Sequence, residues 1–164
     1  MTYGARFAAR VRAAGPLSGT VLASSKPPKR PRKPVRLCTP SWQRGEGLYE
    51  VVVPIRLLSK NQTTAGKENG FTRAARRKRE REETNRILSA AGMKWDGGFP
   101  VLVTIYRIAP RALDDDNVDA KSTRDEVAKW LGVNDGDKSK ATFVVSQQKD
   151  EAYGCRIRIE RRIV

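Results

Sequence analysis

The chain has 164 residues and a formal net charge of +15, with 33 Lys or Arg against 18 Asp or Glu. That length accommodates one folded domain, and so basic a balance belongs to proteins that meet a polyanion: DNA, RNA or, less often, an anionic membrane surface. Histidine is absent, which excludes Ser-His-Asp triads, His-ligated metal sites and histidine acid–base chemistry. Any catalysis must rest on carboxylates, Lys, Arg, hydroxyls or a metal held by oxygen.

The surplus charge sits early. Residues 1–45 hold ten Lys or Arg and no acid, and six of the nine prolines fall in the first 40 residues. A stretch such as SSKPPKRPRKPVR cannot build a core, so residues 1–45 read as a basic, Pro-rich disordered arm and residues 46–164 as the folded domain. Phosphate binding, a localisation tag and a plain linker are all open for the arm. Its start, MTYGARFAARVRAAG, lacks the apolar centre of a secretory signal, and its Arg-rich, acid-free character suits a transit peptide or a basic arm equally. No run of eighteen apolar residues occurs, so no membrane span is expected, and cytoplasm or nucleoid is the expected location. Cys38 and Cys155 lack CxxC spacing, which removes a zinc ribbon; free thiols are expected rather than a disulfide.

From Leu48, LYEVVVPIRLL reads as a strand with Pro54 at an edge or bulge. The polar loop Ser59–Gly70 is too long for a tight turn and is a candidate functional segment. A helix follows, capped by Thr72 and ended at Gly92. Within it Arg76–Glu80, Lys78–Glu82 and Arg79–Glu83 are i,i+4 pairs. Arg73, Arg77 and Arg81 form a stripe with no acid four residues on, which suits a phosphate backbone or a solvated face. FPVLVTIYRI is the next strand. Later come SKATFVVSQQ and YGCRIRIERRIV, the last placing Cys155, Ile157 and Ile159 on one face. The order β-α-β-α-β-β predicts an α/β (α+β) domain: a small mixed sheet covered by two helices.

Between these elements lies LDDDNVDAKSTRDEVAKWLGVNDGD, residues 113–137. If 113–116 are extended, Asp114 and Asp116 share a face and Asp115 points away. Asp116 or Asn117 is expected to cap a helix over roughly Val118–Leu131 that buries Val127, Trp130 and Leu131, with Asn117, Lys121 and Arg124 along another face. The turn beyond Gly132 adds Asp135 and Asp137. A strand running back beside the first would bring a third carboxylate to Asp114 and Asp116, enough oxygen donors for Mg²⁺ or Mn²⁺. Two other readings compete. Asp115, Asn117, Asp119 and Glu126 fall at calcium-loop positions 1, 3, 5 and 12, although Ala120 stands where that loop needs glycine. Acids at a helix N-terminus also stabilise it without any ligand, which covers one or two aspartates.

The run LDDDN, a helix with a lysine and an Arg-Asp pair, and then LGVNDGD resembles the RusA-type Holliday junction resolvases, small and often phage-borne metal-dependent endodeoxyribonucleases of recombination and repair. Asp114, Asp116 and Asn117 match the family's Asp-x-Asp-Asn, and Asp135 the second aspartate of its Asp-Asp turn. Ser59-Lys60-Asn61 is similar to the Ser-x-Asn that often opens its first loop. The resemblance covers residues 47–162, with 110–137 the specific part. It implies a RusA-like fold, with Asp114, Asp116 and Asp135 binding Mg²⁺ (Mn²⁺ as substitute) and Lys121 as the catalytic lysine. It further implies Lys60, Asn61, Arg73, Arg77, Arg81 and Arg111 on DNA, a homodimer, and paired nicks in branched DNA. The chain departs from the pattern twice: Asn134 replaces the first turn aspartate, and Lys121 stands one position late. A basic nucleic-acid-binding protein without chemistry, or a carboxylate nuclease for other branched or single-stranded DNA, are the alternatives.

Overall fold

The computed structural model describes residues 34–64, 69–90, 92, 94–96, 98–114 and 117–162, all within one compact unit, Pro34–Val164. The predicted disorder of residues 1–33 lies outside the described residues. Eight elements follow in the order β1 (Ser41–Gly45), β2 (Leu48–Val53), α1 (Lys60–Thr64), α2 (Gly70–Ala90), β3 (Val101–Ala109), α3 (Lys121–Leu131), β4 (Ala141–Lys149) and β5 (Gly154–Arg161). They make an α+β protein with a five-stranded mixed sheet ordered β1-β2-β5-β3-β4, in which β3 and β4 pair in parallel and the other pairs are antiparallel.

Two strands depart from the expected order. Residues 41–45, assigned above to the arm, form β1 and pair with β2 from Ser41↔Val52 to Gly45↔Leu48. Further back, Cys38 N–H donates to Tyr153 O at 2.8 Å, so the chain is anchored to the sheet before β1 begins. Proline density masked a strand whose side chains are all exposed. The second departure concerns β4 and β5. They are joined by a short connection but are not neighbours, because β5 inserts between β2 and β3. The β3–α3–β4 segment is then a crossover, as a parallel pair requires.

The pleat decides which residues enter the core. Across the sheet, Tyr49, Ile159, Val103 and Phe143 stand in one row, and Val51, Ile157, Ile105 and Val145 in the next. Cross-strand neighbours share a face, so these rows form a continuous apolar surface. Helices α2 and α3 cover it with Ile87, Leu88, Val127 and Leu131, all buried. Burying each such side chain contributes about 1.5–3 kcal/mol. The following row reads Val53, Cys155, Arg107 and Gln147. Here the apolar surface stops, and the polar half of that row meets the loops that lead to α1 and α3. Both cysteines are free thiols, and burial pushes each above the usual thiol range. Gly154 has no side chain because a Cβ there would stand 2.8 Å from Cys38 Sγ.

Helix ends follow local chemistry. Asn69, rather than Thr72, caps α2: its Oδ1 accepts from Thr72 N–H at 2.8 Å and from the Thr72 hydroxyl at 2.7 Å. Helix α3 closes with a left-handed Gly132 (φ 70°), Gly132 N–H donating to Lys129 O and Val133 N–H to Ala128 O. This 5→2, 6→1 pattern needs φ > 0, which glycine adopts without strain. Among the described residues no helix is long and apolar enough to cross a membrane.

Candidate functional site

Two loops separated by more than fifty residues are zipped together beside the polar end of the sheet. Ser59 and Val118 form an antiparallel bridge, Asp119 N–H donates to Leu58 O at 2.9 Å, and Asn61 N–H donates to Asn117 Oδ1 at 3.2 Å. Val118 is thus occupied in pairing, and α3 starts three residues later than predicted. Its N-cap is Ala120, with no capping side chain, so Asn117 bridges loops instead of capping the helix. Part of the polar loop also folds, as the single turn α1, with Ser59 Oγ accepting from Gln62 N–H at 3.2 Å.

Arg107 and Gln147 hold the acidic segment against this arrangement. The buried Arg107 donates from Nε to Leu57 O at 3.3 Å and from Nη1 to Arg111 O at 2.7 Å. Gln147 pairs with the backbone of Leu113 in both directions, accepting from its N–H at 2.7 Å and donating to its carbonyl at 2.6 Å. Asn117 N–H donates to Asp114 O at 2.9 Å, closing a turn.

Beside the zipped loops lies a cleft of about 290 Å³, whose charged lining is Lys60, Lys121, Arg124, Asp119, Asp125 and Asp135. Lys121 opens α3 and is exposed, and Asp125 lies one turn on, on the same face. Asp135 is half-buried; Arg124 Nη2 donates to its backbone carbonyl at 2.8 Å, and Arg124 Nε approaches its carboxylate at 3.5 Å. The structure therefore brings Lys60, Lys121 and Asp135 together. Asp114 is exposed at its turn and does not line the cleft. Asp116 and Asp115 lie outside the described residues. The cleft's donors are hard oxygens without His or Cys, which suits Mg²⁺ or Mn²⁺. Among the described residues, no three His, Cys, Asp or Glu side chains converge on one metal position.

The arginine stripe is not uniform. Arg77 Nη2 stands 3.8 Å from Asp119 Oδ2, so it is paired across to another element, whereas Arg81 and Arg111 are exposed. Arg76 pairs with Glu80 at 2.7 Å as predicted and also reaches Asp119 at 3.2 Å. Lys78–Glu82 forms at 3.8 Å, but Glu83 is bound by Arg86 rather than Arg79. Asp119 is nearly enclosed by these arginines, and Glu126 accepts from Asn85 Nδ2 at 2.9 Å. The two face different partners, and α3 opens at Lys121 within the stretch that a calcium loop would occupy; Asp115 of that reading lies outside the described residues. Asp125, Arg107 and Gln147 were not singled out as site residues from sequence, and Asp119 was named only as a calcium-loop position. The i,i+4 spacing of Lys121 and Asp125 is a signal that could have found one of them.

Burial pushes the Glu80 carboxyl above the usual range, with Arg76 pulling it back. The folded chain then holds that proton more tightly than the unfolded chain. Its stabilising contribution is present below the ordinary carboxylate pKa and is lost as pH rises above it. Glu80→Gln keeps an oxygen for Arg76, so it should raise the urea midpoint at pH 7 and leave it unchanged at pH 4. An equal loss at both pH values would contradict this. No protein-family model matches the chain, and no curated protein matches it, so the functional reading rests on the residues and geometry above.

Proposed function

We propose that the chain is a metal-dependent endonuclease that resolves four-way DNA junctions by paired nicks. One observation carries the reading: Ser59–Asn61 and Asn117, the two segments that bear the family resemblance, meet backbone to side chain beside the cleft that holds Lys60, Lys121 and Asp135. Burial of Leu57, Val118 and Ala120 in the core brings the two loops together, and the bond from Asn61 N–H to the Asn117 side chain is the polar addition that a shared site would use. Asp135 of the cleft, together with Asp114 and Asp116 as the family resemblance implies, would hold Mg²⁺ through carboxylate oxygens. Bound there, the ion supplies Lewis acidity toward a phosphate and lowers the pKa of water. Lys121, at the first turn of α3, presents a fixed positive charge to a phosphate in the cleft, as a preorganised electrostatic group does. Lys60 of α1 adds a second cation to the cleft lining, and the exposed Arg81 and Arg111 are left for backbone phosphates outside it.

The test is a labelled synthetic four-way junction incubated with Mg²⁺ or EDTA, with Asp116→Asn and Asp135→Asn alongside. Expected are paired, Mg²⁺-dependent nicks near the crossover that each variant reduces by about 10²-fold or more while still binding the junction. Tight junction binding with no cut by the native chain, whatever the divalent metal, sinks the enzyme reading in favour of a binding module.

A further inference from the structure

The turn that carries Asp135 is anchored at its two ends, where Val133 packs against the core and donates its N–H to Ala128 O, and Lys140 O accepts from Val101 N–H at 2.8 Å. Between Gly132 and Ala141 its hydrogen bonds are mostly local: Asn134 Oδ1 accepts from Gly136 N–H, and Asp137 Oδ1 accepts from Ser139 N–H and its hydroxyl. These fix the shape of the turn but not its position over the cleft. Between the anchored ends, Arg124 links the tip of the turn to α3. From the first turn of α3 its guanidinium donates to the Asp135 carbonyl at 2.8 Å and stacks over Phe143 of β4, 5.0 Å from the ring centroid. The contact to the carboxylate is different in kind. Arg124 Nε is buried and makes no hydrogen bond among the described residues, and its 3.5 Å approach to Oδ2 is an ion pair only. A guanidinium serving as the counter-ion of a carboxylate makes a two-pronged hydrogen-bonded fork with it. Here the strong bond goes to the backbone.

We propose that Arg124 is a positioning residue, tethering the turn by its backbone so that the Asp135 carboxylate faces the cleft with its oxygens left for a divalent cation. The first half stands on geometry alone; the second half rests on the metal-dependent reading above. The two roles open to Arg124 differ in sign. As a competing counter-ion it weakens cation binding, and its removal tightens it. As a tether it strengthens cation binding despite its charge, and its removal loosens it.

Calorimetric Mn²⁺ titration of the native chain, Arg124→Met, Arg124→Lys and Asp135→Asn separates them, with amide hydrogen exchange of residues 134–140 followed in the same samples. The expected result is Mn²⁺ affinity reduced about 10-fold in Arg124→Met, the scale seen when a group that orients a ligand is removed. Faster exchange across the turn should accompany it, and Arg124→Lys, which keeps one donor for the carbonyl, should fall in between. Mn²⁺ bound more tightly by Arg124→Met overturns the proposal, as does exchange unchanged across the turn. If the native chain and Asp135→Asn both fail to bind Mn²⁺, the metal reading falls, and the exchange rates alone decide whether Arg124 is the tether.

Discussion

Arg76→Met is expected to cost the folded state about 3–5 kcal/mol, the range for removing one partner of a buried ion pair. Arg76 bridges two carboxylates, Glu80 at 2.7 Å and Asp119 at 3.2 Å. The three side chains are 14%, 5% and 8% exposed, so water screens little of the interaction and replaces little of it. Methionine fills the space of the aliphatic stem but supplies no donor. Asp119 keeps Arg77 at 3.8 Å; Glu80 loses the partner that offsets its burial. The loss should appear as a lower urea midpoint with an unchanged denaturant slope. It should also narrow between pH 7 and pH 4, because without Arg76 the buried carboxyl takes up a proton more readily. Adding Glu80→Gln to Arg76→Met should recover part of the stability, since it removes the stranded charge. A loss under 1 kcal/mol at pH 7 would mean that solvent reaches the pair.

This network ties the fold to the cleft. Arg76 and Glu80 are one turn apart on α2, and Asp119 belongs to the loop that pairs with Leu58. An i,i+4 pair that reads in sequence as a surface ornament is therefore also a buried joint between α2 and the segment ahead of α3. Sequence shows the Arg76–Glu80 spacing plainly. It does not show Asp119, forty-three residues away, whose placement depends on how α2 lies across the sheet.

The same division runs through the molecule. Alternation identified the buried face of β5, because a period of two needs only local residues and a core on one side. Gly132 marked the end of α3 for an equally local reason. Strand order was not legible, since the insertion of β5 between β2 and β3 follows from which apolar rows match across the sheet. β1 was hidden because its five exposed side chains carry no apolar pattern. At the cleft, Lys121 and Asp135 could be named from the sequence pattern, and Lys60, with Asn61 beside it, from the family resemblance. Arg107 and Gln147 could not: Arg107 is one charge within the apolar run of β3, Gln147 is one of several polar residues at the end of β4, and their task is defined only by the loops they hold.

For that reason Arg107 carries the other large expected effect. Arg107→Met should lower stability by about 1–3 kcal/mol, the cost of leaving the buried Leu57 carbonyl without a donor. Part of that cost is offset, because burial already disfavours the Arg107 charge and holds its pKa below the usual arginine value. If the proposed function is right, junction cutting should fall much further, by about 10²-fold, since a shift near 1 Å in a reacting group costs that much. The reason is geometric. Leu57 O lies two residues before Ser59, and Arg111 O three residues before Asp114, so one guanidinium sets the spacing between the two loops. Gln147 keeps its two bonds to the Leu113 backbone when its 3.5 Å contact with Arg107 is lost, which should keep Arg107→Met folded enough to assay. Cutting rates compared at a temperature where both proteins are fully folded separate the two effects. Activity that falls only with the folded fraction would leave Arg107 as a core residue; a 10²-fold loss in fully folded protein, partly restored by Arg107→Lys, makes it the spacer of the site.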